Sequence, residues 1–400
     1  MVGKIRFKRV LVFAISALVS QQALSLDPAN TQLGSVYIEP TLDIEVRNDD
    51  NLYRNQDIEI SDTVAVVRPV IQAWLQNNNN SYALIYELES GNYSKESDND
   101  YTDNKLNLDI HQELNSKNVI DIYAEYDDAH EDRGTGLTEG DLGLLIDKPV
   151  EFQATKLGGI YSLGNRLGKG RLELEAQTRD IEYQNYREQT QYRDRQDDML
   201  RATLYYKVAP KTDALLEVRG TRTDYKIDPV GGAGSLDSKE TVYLVGLSWF
   251  ATAKTTGSVK VGGYRRDYED NDRGAYDGFH WEADVTWKPR TYSEIVARMA
   301  RKSYETNSLG DFVNTDEYSL GWNHDWNARL SHDLILRLSK DTYEGTTRRD
   351  DRFDTELRFN YAFRRWFDIG AGYRYFDRDT TADGFNYQRN LWFLDVRLSL

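Results

Sequence analysis

The stretch Asn390-Leu391-Trp392-Phe393-Leu394-Asp395-Val396-Arg397-Leu398-Ser399-Leu400 alternates residue by residue. Trp392, Leu394, Val396, Leu398 and Leu400 share one face, and Phe393, Asp395, Arg397 and Ser399 share the other. A period of two is the mark of a β-strand, because successive side chains leave opposite faces of the pleat. Two placements satisfy it. In a soluble β-protein the apolar face packs on a core and the polar face meets water. In a closed barrel set in lipid the two faces exchange roles. One strand does not separate these, so the decision falls to the rest of the chain.

The same alternation runs from residue 35 onward. Over 35–47, Val36, Ile38, Pro40, Leu42, Ile44 and Val46 oppose Tyr37, Glu39, Thr41, Asp43 and Glu45. Turn formers at 48–51 break it. Strands follow at 63–75, 82–94, 105–114, 119–129, 152–162, 171–183 and 199–208, with a long Gly- and acid-rich excursion at 130–149. Beyond residue 208 the layout becomes regular. Compact turns at 209–212, 251–255, 288–291, 327–330 and 362–365 alternate with long charged loops at 227–238, 267–278, 304–315, 341–351 and 377–386. The pattern predicts about eighteen strands of roughly ten to thirteen residues, near the ~9–11 that cross a bilayer when tilted.

This predicts an all-β fold, an antiparallel up-and-down transmembrane barrel with short turns at one end and long loops at the other. An even strand number puts both chain ends on the short-turn side. The polar face of the late strands carries charges of both signs at mid-strand. About eighteen strands enclose too wide a space for side chains to fill, so a wet lumen is expected. Aromatics beside successive compact turns, Trp249, Phe250, Trp287, Trp326, Phe363 and Trp366, predict an interfacial girdle. A β-propeller is the rival, since the hairpin repeat is near blade length. It needs four strands per blade where this spacing gives two long ones.

Composition agrees. The 400 residues carry a net charge of −16, no Cys and 27 Tyr, and the mean hydropathy is −0.70. No helical membrane bundle is possible, and phosphate repulsion argues against a nucleic-acid partner. Lys4, Arg6, Lys8 and Arg9 precede an apolar run at 10–19 and the small-residue site Ala23-Leu24-Ser25. Residues 1–25 therefore read as a Sec signal peptide and 26–400 as the barrel.

Nothing in the chain carries enzyme chemistry or implies a cofactor. The five His, at 111, 130, 280, 324 and 332, form no metalloprotease motif, and no nucleophile elbow occurs. Asp98-Asn99-Asp100 and Asp270-Asn271-Asp272 resemble calcium-loop fragments but lack the following Gly and distal Glu, so they read as solvated loop acids. An outer-membrane hydrolase with its residues hidden in the barrel stays open. His130-Glu131-Asp132-Arg133-Gly134-Thr135-Gly136 is the densest polar cluster. It reads as an ordered outer loop, or as one folding toward the lumen.

Several stretches carry a resemblance. The first strand running into Asp49-Asp50-Asn51-Leu52-Tyr53, Tyr86-Glu87 with Gly91-Asn92-Tyr93, residues 130–136, Tyr373-Arg374-Tyr375 and the strand at 392–400 together resemble the putative β-barrel porin 2 family. The ending also resembles the sorting signal of bacterial outer-membrane barrels, with Leu400 where an aromatic is usual. The resemblance implies an outer-membrane location, lipid and the barrel assembly machinery as partners, and a role in export of an exopolysaccharide or capsule with a periplasmic polysaccharide-export protein. Tyr205, Arg219, Arg298, Arg337, Arg358, Arg374 and Arg397 are then the candidate lumen-lining residues. They could stack on and hydrogen-bond sugars, and the arginines would favour an anionic polymer. The alternative is that these arginines pair with lumenal acids and hold the wall. A diffusion porin is the other reading of function.

Overall fold

The computed structural model describes residues 31–165, 168–228, 234–252, 254–270, 272–306 and 310–399. The expected signal peptide at 1–25 and Leu400 lie outside them. In chain order the strands are β1 (Thr31–Leu33), β2 (Val36–Asp49), β3 (Asp62–Asn77), β4 (Asn80–Tyr93), β5 (Tyr101–Asn115), β6 (Asn118–Glu131) and β7 (Val150–Leu163). There follow β8 (Gly170–Tyr183), β9 (Arg195–Ala209), β10 (Thr212–Tyr225), β11 (Ser238–Thr252), β12 (Thr255–Tyr268) and β13 (Ala275–Arg290). The last six are β14 (Ser293–Glu305), β15 (Phe312–Asp325), β16 (Leu330–Glu344), β17 (Arg349–Arg364), β18 (Phe367–Thr380) and β19 (Tyr387–Ser399).

Strands β2 to β19 each pair antiparallel with their sequence neighbours, and β19 returns to β2, so eighteen strands close a barrel with no free edge. The closing ladder runs from Leu391↔Asp49 to Ser399↔Thr41. The three-residue β1 pairs with the rest of β2, at Val36–Ile38, where β19 does not reach. At the top of this seam Asn390 donates its backbone N–H and its side-chain amide to the two oxygens of Asp50, at 2.6 and 2.7 Å.

The long strands have 13 to 16 residues, more than the sequence pattern predicts. The extra length comes from the expected loops. Of 267–278, only 269–274 lies outside strands. The apolar alternation stops at the edge of the oily belt, but the hydrogen-bond ladder needs no apolar face and continues into the water above it.

The faces are inverted relative to a soluble protein. On β19, Trp392 and Leu394 are 63% and 65% exposed on the outside, while Arg389, Phe393 and Asp395 are buried inside. Register carries this parity round the ring, placing Leu84, Leu174, Leu216, Val245, Phe279 and Leu338 outward. Phe250, Trp287, Trp326, Phe363 and Trp366 are exposed beside the short turns, and Trp249 is half-buried there, which is the expected girdle.

Inside, four cross-strand pairs set a ring over a glycine: Gly91↔Tyr101, Gly158↔Tyr123, Gly278↔Tyr264 and Gly372↔Phe393. A Cβ at any of these glycines would clash with its partner's ring, so the ring lies flat against bare backbone.

Candidate functional site

The lumen wall is a lattice of ion pairs between inward positions of neighbouring strands. Arg68 Nη2 meets Glu89 Oε2 at 2.7 Å, Lys156 Nζ meets Glu125 Oε1 at 3.1 Å, and Lys260 Nζ meets Glu217 Oε2 at 3.1 Å. The Lys156–Glu125 and Lys260–Glu217 side chains are largely withdrawn from solvent, so each charge is offset by an opposite partner, which is why the sequence can place both signs at mid-strand.

The seven candidate residues all sit at inward positions of this lattice, and each is engaged. Arg219 pairs with Glu282 at 2.7 Å, Arg337 with Asp354 at 2.9 Å, Arg374 with Glu356 at 3.0 Å and Arg397 with Asp43 at 2.9 Å. Arg358 pairs with the buried Asp395. Arg298 reaches Asp284 only at 3.8 Å and is the most exposed of them. Tyr205 lies under Arg171, whose Cζ is 4.1 Å from the ring centroid. The structure distributes the seven round the wall and gathers them into no single site.

At the long-loop end two segments fold inward from opposite sides. The first is the β6–β7 loop, with short 3-10 turns at Gly136–Thr138 and Gly140–Leu144. Its base is fixed by the buried Arg133, which donates to Asn99 Oδ1 and to the carbonyls of Ile146 and Asp147. Burial holds the Arg133 guanidinium below its usual pKa and the neighbouring Tyr53 phenol above its own. Arg54 holds Asp132 at 2.7 Å and Asn55 donates to Asp141 at 3.2 Å, so the loop rests on the β2–β3 connection. Its centre, Glu139, is clasped by Arg348 of the β16–β17 turn at 3.0 Å and by Arg378 of β18 at 2.6 Å. Strands β19, β2, β3, β4 and β5 lie between β18 and β6, so this loop is a strap across the mouth. Burial would lower the pKa of Arg348, but hydrogen bonds to Asp350 and Glu139 more than reverse it and hold it above the usual value.

The second segment is the tip of the β14–β15 hairpin. β13 and β14 pair only from Trp281↔Arg301 to Arg290↔Ser293, and β13 above Trp281 has no partner on that side. The freed tip turns its outer face against the inner face of β10, β12 and β13. Phe312, fully buried, meets the rings of Tyr264 and Tyr276 edge-on, at 6.4 and 5.1 Å. Glu305 accepts from Arg266 at 2.8 Å and from Tyr225 at 2.9 Å, and Asn314 donates to Tyr264 at 2.8 Å. The reason is in the sequence of that outer face. Above Met299 and Tyr318 it reads Arg301, Ser303, Glu305, Asn314 and Asp316, which would be costly against lipid; Glu305 and Asn314 find partners inside, and Arg301 pairs with Asp316.

Sequence reasoning raised inward folding for 130–136 only as the second option and missed the β14–β15 tip. It also missed Glu139, Arg348 and Arg378. The first two are 209 positions apart and carry no shared motif, so no local signal could have joined them. Asp98 and Asp100 are exposed, as solvated loop acids are, whereas Asn99 between them is buried against Tyr53 and Arg133. Asn271 lies outside the described residues. Among the described residues no group of three or more His, Cys, Asp or Glu side chains is placed to hold a metal ion.

Among solved structures, the chain is similar to the FrpB iron transporter of Neisseria meningitidis, at 9% identity and TM-score 0.43, covering 85% of this chain and 62% of that one. OpdO of Pseudomonas aeruginosa is similar at 12% identity and TM-score 0.48, covering 92% and 98% of the two chains. The outer membrane protein opdK of the same organism gives 11%, 0.47, 92% and 99%. These are weak likenesses of barrel to barrel. No curated protein sequence matches the chain. The family described as putative beta-barrel porin 2 matches residues 25–400, and with its oily face outward and its charges inward this chain belongs to that family, as a porin-like barrel of the bacterial outer membrane.

Proposed function

We propose that the protein is a diffusion channel for small hydrophilic solutes, working without catalysis and without an obligatory partner. One observation carries this reading: the lumen is lined by ionised side chains while its outer mouth is narrowed by two ordered segments anchored through buried contacts. Such a mouth suits solutes that pass singly. Export of a surface polysaccharide, expected from the family resemblance, needs a continuous polymer to thread the same opening, and the clasped strap weighs against it.

The test is conductance. The purified mature chain in a planar bilayer should show ohmic single-channel steps with no added protein, and liposomes holding it should swell in small sugars. A silent barrel in both assays, together with loss of surface polysaccharide when the gene is deleted, would favour export instead.

A further inference from the structure

We infer that this lumen selects for cations, and that Asp109 on the β4–β6 wall is a specificity-determining residue. The inference rests on the channel reading above.

Register fixes which side chains of β4, β5 and β6 point inward. They include Glu87, Asp109, Glu113, Asp121, Glu125 and Asp127, and the same three strands supply Lys105 as their inward lysine or arginine. Neighbours offset part of this. Arg68 approaches Glu87 at 3.8 Å, Lys156 meets Glu125 at 3.1 Å, Lys105 meets Asp127 at 3.5 Å, and His111 meets Asp121 at 2.6 Å. Asp109 and Glu113 have no ion pair among the described residues. Asp109 is exposed, and its register neighbours Ala83 and Tyr123 bring no charge; the one base whose field reaches it, Lys156, is already paired with Glu125.

The β16–β19 wall does not mirror this with free positive charge. Its arginines at 337, 358, 374 and 397 are matched one to one by carboxylates. Bases are therefore consumed by adjacent acids, while a set of acids on one wall is left over. β14 lies across the ring from β5 in the strand order, and its Arg298, held only loosely by Asp284, is the base best placed to face them. A solute in the lumen thus meets an uncompensated negative wall on the β4–β6 side. Rings or walls of carboxylate concentrate cations and exclude anions, and narrow low-dielectric walls focus that field. The chemical class favoured is small cations, inorganic or organic ammonium and guanidinium, in place of the anionic polymer the arginines alone would suggest.

The experiment uses K⁺ and Cl⁻ with the mature chain in a planar bilayer under a tenfold KCl gradient. The reversal potential should report a K⁺ to Cl⁻ permeability ratio of about 3 or more at ~0.1 M, falling toward about 1 near ~1 M as the field is screened. Asp109→Asn with Glu113→Gln should lower the ratio severalfold with little change in conductance. Asp128→Asn, on the outer face of β6, should leave it unchanged. A wild-type ratio at or below 1, which needs no variant to read, overturns the inference. So does a ratio that Asp109→Asn with Glu113→Gln leaves as it was in a folded, conducting barrel. Absence of any conductance overturns the channel reading itself and is distinguishable from both.

Discussion

Arg378 donates through Nη1 to Glu139 Oε1 at 2.6 Å, joining residues 239 positions apart across the mouth of the barrel. Arg348 reaches the other oxygen of the same carboxylate at 3.0 Å. Both arginines are buried, so one carboxylate holds two desolvated cations and ties a loop from one side of the ring to strands on another. Breaking such a pair by removing one member typically costs ~3–5 kcal/mol, because the remaining charge stays buried.

Glu139→Ala should therefore release the strap while the barrel stays closed. Single-channel conductance should rise, and backbone deuterium exchange over 136–144 should speed up by a factor of ten or more, with the strands unaffected. Unchanged exchange over that stretch would show that the strap is held by other contacts.

The β14–β15 tip depends on one ring. Phe312→Ala removes a fully buried aromatic, a change worth about 3–5 kcal/mol in a packed site. Exchange should accelerate at 302–305, which β13 leaves unpaired, and not in the lower half of β14, where pairing with β13 is in place. A variant as protected as the parent would mean that the polar contacts of Glu305 and Asn314 suffice.

The outward face of β19 can be tested by charge. Leu394→Arg places a cation against lipid near mid-strand and should destabilise the barrel by ~2–4 kcal/mol in urea unfolding from vesicles. A cost near zero there would mean that Leu394 does not face hydrocarbon.

Gly158→Ala should push the Tyr123 ring off the wall and disturb its 2.7 Å hydrogen bond to Glu175. Overpacking of this kind costs about 1–3 kcal/mol, measurable as a lower urea midpoint. Gly220→Ala, where a Cβ meets open space, is the matched control and should leave the midpoint within about 0.5 kcal/mol.

Much of the fold was legible because a strand's period is two and a one-residue slip would turn every side chain to the wrong solvent. Residues 35–47 and 390–399 show it plainly, and the alternation of compact turns with long loops gave the ends of the barrel. Loop boundaries were less legible. The stretch 267–278 looked like a loop because charge interrupts its pattern, yet Asp267 and Asp277 sit on the paired strands β12 and β13. The candidate arginines were found at inward positions by the same parity, but what each one meets depends on a neighbouring strand.

By itself the sequence determined that this chain crosses a membrane as an even-stranded barrel, because alternation is local and each strand writes its own two faces. Tertiary structure alone decided how the mouth is closed and how charge is balanced inside. Those outcomes depend on Glu139 reaching Arg348 and Arg378, on Phe312 slipping behind Tyr264, and on Lys156 pairing with Glu125 and leaving Asp109 without an ion pair among the described residues. Each is a distance between residues remote in the chain, and electrostatic and packing energies depend on that distance, not on the order of residues.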